Sequence, residues 1–243
     1  MAPLGLATGF YGLGPTLQGD GSGRVFDPSH ICRGAEFNWY PFGKYSKTTN
    51  GTGITAWKDA SGNANHLVPT ATNDADEQPA LTSQGTVRFQ QATDSLVFDS
   101  ALSLGEFSIY WKGKFRLGET VSNEFMIEGA ADNIRFPDSD ECVIDIGGDQ
   151  RFNMPSGVDE ATEYVFGAER DSNGDMMIYV NNVAGTSKAS SSLNVATSTT
   201  IDLTQIGDPA EDSEFYEIVI CGSALDASGR KALYNYLNQI SPY

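Results

Sequence analysis

The stretch that decides the fold is Glu214-Phe215-Tyr216-Glu217-Ile218-Val219-Ile220, together with the helix pattern that follows it in the sequence. The stretch itself is a strand-like apolar run near the end of the chain. Asp226 or Ser228 can cap a helix after it, and Pro242 would end that helix. The apolar residues of this helix recur at i, i+3, i+4 and i+7, as Leu233, Tyr236, Leu237 and Ile240. The sequence predicts a final strand followed by one short C-terminal helix.

From Glu36 onward the remaining pattern predicts strands. Residues 36–42 alternate as a first strand, which Pro41 places at an edge or an end. Residues 106–115 form the clearest long strand, with Phe107, Ile109 and Trp111 on one face and Ser108, Tyr110 and Lys112 on the other. Shorter strands are predicted at residues 87–89 and 95–98, and Val143-Ile144-Asp145-Ile146 is an ordinary strand.

Turn residues separate these strands at roughly ten-residue spacing. Asp171-Ser172-Asn173-Gly174-Asp175 lies between two apolar runs and predicts a hairpin, because Asn-Gly tolerates the backbone of a tight turn. Asn181-Asn182 predicts the next reversal. Many short strands with regular turns favour an all-β, two-sheet antiparallel sandwich.

Composition limits the classes of partner. The chain has 243 residues and a formal net charge of −17, from 32 acidic and 15 basic residues. Such a charge repels phosphate backbones and anionic headgroups, so we expect no nucleic-acid and no membrane partner. No apolar run reaches the length of a membrane span. The first ten residues have no Lys or Arg and are broken by Gly and Pro, so no secretory signal is expected.

The three cysteines, Cys32, Cys142 and Cys221, are too few and too odd in number for a disulfide framework. Cys142 and Cys221 lie in strand-like apolar runs, which favours buried, unpaired side chains. Unpaired cysteines suit folding in a reducing cytoplasm.

Residues 1–35 are predicted to form an extended arm, and residues 36–243 the sandwich domain. Seven glycines between Gly5 and Gly23 cannot build a core of their own. The scattered apolar side chains suit docking onto another chain, although a disordered or folded-back arm is the alternative. The anchoring candidates are Leu4, Leu6, Phe10, Tyr11 and Leu13.

Four segments resemble the laminin-G-like/concanavalin-A-like jelly-roll family. Trp57-x-Asp59-x-Ser61-Gly62-Asn63-x-Asn65-x-Leu67 is similar to an early segment of the family. Two segments resemble the middle of the family's sequence pattern: Pro79 with Val87-Arg88-Phe89 and Leu96, and then Asn173-Gly174 with Tyr179-Val180-Asn181-Asn182. The C-terminal part of the pattern resembles residues 217–225 and the helix. The resemblance spans residues 36–243 and implies a jelly roll that binds rather than catalyses.

Single jelly rolls with a Gly- and Leu-rich arm are most similar to virion proteins of tailed phages. The resemblance implies a non-enzymatic structural protein, assembled in the host cytoplasm and anchored to capsid or tail proteins by its arm. It also implies a displayed head decoration, head fibre or tail-associated protein, with a homotrimer as one assembly. The alternative is a glycan-binding adhesin for host-surface polysaccharide, and a polysaccharide-degrading enzyme is the third hypothesis.

The Trp57 segment carries two interpretations. Asp59 and its neighbours can satisfy backbone groups in a tight turn. The oxygens of Asp59, Asn63 and Asn65 could instead supply part of a calcium site, as in some relatives, with further ligands from elsewhere. We expect no required cofactor.

No catalytic pattern is complete. The retaining glucanases of this superfamily carry Glu-x-Asp-x-x-Glu on one strand, and the nearest stretch here, Glu141 to Asp149, lacks that spacing. There is no nucleophile elbow, and His30 and His66 have no spaced partners. Sugar binding needs exposed aromatic faces and hydroxyl-bonding oxygens, for which the candidates are Trp39, Tyr40, Tyr45 and Tyr110.

Overall fold

A computed structural model describes residues 27–32, 36–43, 46–51, 53–70, 78–90, 94–115, 124–138, 140–155, 159, 162–187, 199–207 and 213–240. These residues form a short 3-10 helix at Pro28–His30, eighteen strands and one α-helix, α1 at Ala227–Gln239. The strands are β1 Asn38–Tyr40, β2 Lys47–Asn50, β3 Gly53–Trp57, β4 Leu67–Pro69, β5 Ala80–Leu81, β6 Val87–Phe89, β7 Ser95–Leu104, β8 Phe107–Phe115, β9 Glu124–Glu128, β10 Asn133–Asp138, β11 Glu141–Asp145, β12 Asp149–Asn153, β13 Glu163–Arg170, β14 Met176–Val180, β15 Val183–Ala184, β16 Thr186–Ser187, β17 Ile201–Gly207 and β18 Ser213–Cys221.

The strands pair antiparallel in two packed layers. The helix-side sheet runs β14, β13, β8, β18, β1, and β6 pairs with the beginning of β18. The second sheet runs β12, β11, β10, β9, β17, β7, β4, β3, β2. Strand β5 joins β3 to β6 and so links the layers at one edge. This arrangement confirms the predicted all-β jelly-roll sandwich with one short C-terminal helix.

The main core lies between the two sheets. On β8, Phe107, Ile109 and Trp111 point into it, as their alternation predicts. The rings of Phe115 and Phe166 pack edge to face, with centroids 4.9 Å apart. Trp57, from the segment quoted above, is also fully buried in this core. Burial of so many aromatic side chains is the principal source of stability.

A second apolar cluster lies between the helix-side sheet and α1. Tyr110, on the other face of β8, belongs to it and is buried because the helix covers that face. Asp226 begins the helix, its Oδ1 accepting a hydrogen bond of 2.7 Å from the backbone N–H of Gly229. The helix contributes Leu233, Tyr236 and Leu237 to the cluster. The predicted helix and its first capping residue are confirmed.

Both predicted turns are confirmed. Strands β13 and β14 are joined at residues 171–175, where Asp171 Oδ1 accepts hydrogen bonds from the backbone N–H groups of Asn173 and Asp175. Gly174 has a φ of +85°, the left-handed region that favours glycine. Asn181 and Asn182 have φ values of 50° and 63° and reverse the chain between β14 and β15.

The cysteine prediction is wrong for one pair. Cys32 and Cys221 form a disulfide across 189 residues of sequence, whereas Cys142 is free and buried, as predicted. Both half-cystines are buried in the cluster beneath α1. The pairing depends on the 3-10 helix folding back onto the end of β18, which residue spacing does not reveal. The disulfide also removes one argument for folding in a reducing cytoplasm, which was the expectation that the cysteines are unpaired.

The arm prediction falls mainly on residues 1–26, which lie outside the described residues, as do all five anchoring candidates. Residues 27–32 are described and pack on the domain through Cys32 and the half-buried Ile31. Among the described helices, none combines the length and apolarity needed to cross a membrane.

Candidate functional site

A β-bulge in β18 creates the most unusual feature of the outer face of the helix-side sheet. Phe215 is in register with Gly113 and Glu217 with Lys112, so Tyr216 is an extra residue between two ladder pairs. Phe215 points into the inter-sheet core, while Tyr216 joins the cluster on the outer face. Glu217 bonds residues of that same face. The bulge therefore aims two successive side chains outward, as bulges beside functional sites commonly do.

Glu217 is a buried hub. Its Oε1 accepts hydrogen bonds from Trp39 Nε1, at 2.6 Å, and from the hydroxyl of Tyr236. Its Oε2 accepts a bond of 2.9 Å from the backbone N–H of Phe42. Burial raises the pKa of Glu217 above its usual range, against the opposing effect of these donors. The carboxyl group fixes the end of β1 and α1 around one point.

Lys47 lies buried beside this hub. Its ammonium group bonds the carbonyl oxygens of Pro41, at 3.3 Å, and Gly43, at 3.1 Å, and lies 4.5 Å from the ring centroid of Trp57. Burial lowers the pKa of Lys47 to about 7, although the negative charge of Glu217 opposes the shift. The two groups hold the turn after β1 between them.

The Lys47 ammonium should make stability depend on pH. The pKa of Lys47 is lower in the folded protein than in the unfolded chain. The stability that Lys47 contributes is therefore fully present above the pKa of the unfolded chain and is lost as the pH falls toward 7. We expect the free energy of unfolding to rise by about 2 kcal/mol between pH 7 and pH 9. Urea denaturation across this range measures the rise, and Lys47→Met should flatten it. Identical pH profiles for both proteins would contradict the assignment.

A platform of five side chains lies on the same outer face, near the C-terminal end of α1. We define it as Phe42, Lys114, Glu163, Glu214 and Tyr216. The rings of Phe42 and Tyr216 stack with centroids 5.9 Å apart and an interplanar angle of 18°. Phe42 is half-buried and covers the buried Tyr216. The side chains of Glu163, Lys114 and Glu214 are 32%, 26% and 18% exposed.

Ion pairs preorganise the platform. Lys114 Nζ lies 3.6 Å from Glu163 Oε1 and 3.7 Å from Glu214 Oε2. The hydroxyl of Tyr216 donates a hydrogen bond of 2.7 Å to Glu163 Oε1. The buried Lys112 lies 3.2 Å from Glu163 Oε2 and donates to the carbonyl oxygen of Ile240, the C-cap of α1. A lysine suits this position because the C-terminal end of a helix is electronegative.

Electrostatics keep Glu163 ionised. Partial burial favours its neutral form, but the hydrogen bond from Tyr216 and the charges of Lys112 and Lys114 lower its pKa below the usual range. In turn, burial and the Glu163 carboxylate raise the pKa of Tyr216. The platform thus offers a partly exposed aromatic ring beside fixed carboxylate oxygens. Such a surface can stack on the apolar face of a sugar ring and accept hydrogen bonds from its hydroxyls.

The sugar-binding candidates from the sequence separate in the structure. Trp39 is half-buried beside the platform and is held by Glu217. Tyr40 and Tyr110 are only 0% and 1% exposed, and their hydroxyls bond Asn65 O and Glu169 Oε1 inside the fold. Neither buried ring can stack on a ligand, which corrects that expectation. Tyr45 lies outside the described residues.

Asp59 organises the turn after β3. Its Oδ1 accepts hydrogen bonds of 2.9 Å from the backbone N–H groups of Trp39 and Ser61. Its Oδ2 accepts from Ser61 Oγ at 2.7 Å and from the backbone N–H of Asn65 at 3.2 Å. Both oxygens serve the backbone, as the turn interpretation predicts.

The other calcium candidates also bond the protein. Asn65 exchanges two hydrogen bonds with the backbone of Ser100, at 2.7 and 3.0 Å, and Asn63 Nδ2 donates to Phe37 O at 2.6 Å. With the oxygens of Asp59 and Asn65 already accepting bonds from protein donors, this set does not fit a calcium ion in the described conformation. Within the described residues, no group of three or more His, Cys, Asp or Glu side chains is arranged to hold a metal ion.

Arginines on the outer face of the second sheet fix Glu141 and Asp149. These two residues lie at the ends of the stretch that is most similar to a glucanase motif. Arg135 lies 2.8 Å from Asp149, and Arg151 lies 3.1 Å from Asp149 and 2.7 Å from Glu141. Burial raises the pKa of Asp145, whereas the bonds and charge of Arg135 lower that of Asp149 despite its own partial burial. Arg135 also lies 3.7 Å from Asp145, so ion pairing accounts for all three carboxylates.

The sequence pointed to Trp39, which lies beside the platform, but to none of the five platform residues as a binding group. Lys112 and Lys114 alternate with core residues on β8, which was a visible signal for an exposed end of that strand. Nothing local signals that Glu163 lies opposite Lys114, because that pairing is set by the register of β13 with β8. The outward orientation of the Tyr216 side chain depends on the β-bulge, and the sequence of β18 gives no local signal for that bulge.

No family model matches the chain, and no curated protein matches its sequence.

Several solved structures have a similar fold. The binding domain of Paraclostridial Mosquitocidal Protein 1 is 15% identical, with a TM-score of 0.56, over 86% of this chain and 53% of that one. The Trypanosoma rangeli sialidase is 13% identical, with a TM-score of 0.55, over 86% of this chain and 34% of that one. The Botulinum Neurotoxin Type G Receptor Binding Domain is 15% identical, with a TM-score of 0.50, over 82% and 50%.

These likenesses show the fold. At such identities they support an all-β jelly-roll sandwich and carry no assignment of activity. The chain spans about half or less of each of these three structures.

Proposed function

We propose that this protein is a non-enzymatic binding module whose platform docks on a surface glycan. The observation that carries the proposal is the partly exposed Phe42 ring, stacked on Tyr216 and bordered by the carboxylates of Glu163 and Glu214. These groups are held in place before any ligand arrives, since Glu217 fixes the backbone of Phe42 and three donors fix Glu163. Preorganisation lowers the entropic cost of binding.

The similar structures give limited support. Two of the three are binding domains by name, one of them receptor-binding, and the third is a sialidase. A jelly roll of this kind therefore occurs in proteins that bind and also within an enzyme. A non-catalytic role here is supported by the platform, where Glu163 is ion-paired to two lysines and shares Lys114 with Glu214.

The location of this module is a finer proposal. We propose that it is displayed on a tailed-phage virion, with residues 1–35 as the anchoring arm and capsid or tail proteins as partners. The Gly-rich, Leu-containing composition of that segment supports this role. Removing residues 1–26 should leave a folded domain that retains Cys32 but no longer joins the particle. Normal incorporation of the truncated protein would contradict the proposal.

Phe42→Ala tests the platform directly. Loss of the stacking ring should weaken binding to the tightest ligand of a glycan array about tenfold. The free energy of unfolding should fall by only about 1 kcal/mol, because the ring is only partly buried. Isothermal titration and urea denaturation measure the two effects.

Val183→Ala provides the control. Val183 is 55% exposed on β15 at the far edge of the helix-side sheet. This variant should bind as the natural protein does. Unchanged affinity in Phe42→Ala would rule out the platform as the glycan site.

A further inference from the structure

Trp39 and Phe42 are two partly exposed aromatic residues that share one buried support. Trp39 Nε1 donates a hydrogen bond of 2.6 Å to Glu217 Oε1, and the backbone N–H of Phe42 donates one of 2.9 Å to Glu217 Oε2. Glu217 itself is 2% exposed, so its carboxyl group is used inside the protein and is not offered to a ligand. One carboxyl group therefore fixes both aromatic residues before any ligand is bound.

The two rings are separate surfaces on the outer face of the helix-side sheet. Both pack against the cluster beneath α1. Trp39 is in register with Val219, whereas the Phe42 ring stacks on Tyr216, further toward the beginning of β18. Among the described residues, no ring contact joins Trp39 to Phe42. A sugar ring that lies flat on Phe42 therefore cannot lie flat on Trp39 as well.

The indole of Trp39 presents apolar surface to solvent. Its one polar atom, Nε1, is bonded to the buried Glu217. The backbone of Trp39 is also held, because its N–H donates to Asp59 Oδ1 at 2.9 Å and its carbonyl oxygen accepts from the N–H of Ala60 at 2.7 Å. The exposed part of the ring thus adds stacking area without needing a hydrogen-bond partner from a ligand.

We infer that Trp39 supplies a second stacking position beside the platform, so that the site binds an extended β-1,4-linked oligosaccharide lying across Trp39 and Phe42. This inference rests on the proposed glycan-binding function and names its ligand class. Chains of β-1,4-linked glucose or N-acetylglucosamine are straight and present flat C–H faces, which suit two rings fixed on one face of a sheet. A single sugar occupies one ring only, so affinity should depend on chain length.

Oligosaccharides of increasing length test the inference on the full chain. In titration calorimetry with the β-1,4-linked glucose and N-acetylglucosamine series, affinity for one of the series should rise about tenfold once the chain reaches both rings, and then level off. The α-1,4-linked glucose hexamer has the same composition as the β-1,4-linked hexamer but a curved chain. It should bind no more tightly than a single sugar.

Fluorescence provides a second readout that is specific to Trp39. The chain has three tryptophans, and Trp57 and Trp111 are only 0% and 1% exposed. Quenching of the intrinsic fluorescence by acrylamide therefore reports mainly on Trp39. The hexamer that binds should protect this fluorescence from quenching, whereas the single sugar should leave quenching unchanged. Binding of the hexamer without protection would contradict a contact at Trp39.

Two substitutions separate stacking from structural support. Trp39→Phe and Trp39→Leu both lose the hydrogen bond to Glu217, but only Trp39→Phe keeps an aromatic ring. Trp39→Phe should keep most of the affinity gained from chain length, and Trp39→Leu should lose it, while both bind the single sugar as the natural protein does. Urea denaturation should show similar stabilities for the two variants. A full gain in Trp39→Leu, or an equal loss in both variants, would overturn the stacking role.

The outcomes separate the inference from the proposed function. Equal affinity for the single sugar and for the longer chains would overturn the second stacking position and leave glycan binding standing. Binding of other glycans on a broad array, but of neither β-1,4-linked series, would overturn the ligand class alone. If no saccharide on the array binds, the proposed function itself fails, and the inference fails with it.

Discussion

Replacing Cys32 and Cys221 together with alanine should lower the free energy of unfolding by about 3 kcal/mol. The disulfide closes a loop across 189 residues, so its removal gives the unfolded chain far more conformational freedom. The two sulfurs also fill space in the buried cluster beneath α1. Urea denaturation of the oxidised natural protein and of the double variant measures the difference.

Thiol counting provides an independent check on the disulfide. Unfolded but unreduced protein should react at one thiol, that of Cys142, and reduced protein at all three cysteines. Cys142→Ala is the control, because it removes a buried sulfur without opening a loop, and it should cost only about 1 kcal/mol. Three reactive thiols in unreduced protein from an oxidising preparation would contradict the pairing.

Glu217→Ala should destabilise the protein by roughly 3–5 kcal/mol and abolish binding at the platform. The change would leave Trp39 Nε1, the Phe42 N–H and the Tyr236 hydroxyl without their acceptor. It would also leave Lys47 buried without the opposing charge of Glu217. Thermal denaturation and glycan titration measure the two losses.

Two further variants separate these causes. Glu217→Gln keeps an acceptor oxygen and should lose less stability than Glu217→Ala. Adding Lys47→Met to Glu217→Ala should restore part of the stability, because it removes the unbalanced buried charge. Additive losses in the double variant would show that Lys47 and Glu217 do not interact.

Local patterns were sufficient to predict the architecture. The alternation of Phe107, Ile109 and Trp111 and the Asn-Gly turn at Gly174 are encoded within a few residues, and both are found as expected. The helix beginning at Asp226 follows from its apolar period and its capping residue. Such features depend on neighbours in sequence, which is why the sequence alone revealed them.

Long-range features escaped prediction because they depend on register and layering. Tyr110 is buried because α1 covers part of the outer face of the helix-side sheet. Lys114, on the same strand, stays partly exposed because it lies outside the part that α1 covers. The Cys32–Cys221 pairing and the bulge at Tyr216 likewise require the folded chain. The platform was therefore not foreseen, and of the described sugar-binding candidates only Trp39 lies beside it.

The most direct test of the central claim is a nuclear magnetic resonance titration of the isotope-labelled protein with an uncharged oligosaccharide. The glycan-binding account predicts that the resonances of Phe42, Lys114 and Glu163 shift together and saturate with a single affinity. Saturable shifts confined to another surface, or no shifts with any sugar that a broad array identifies, would contradict it.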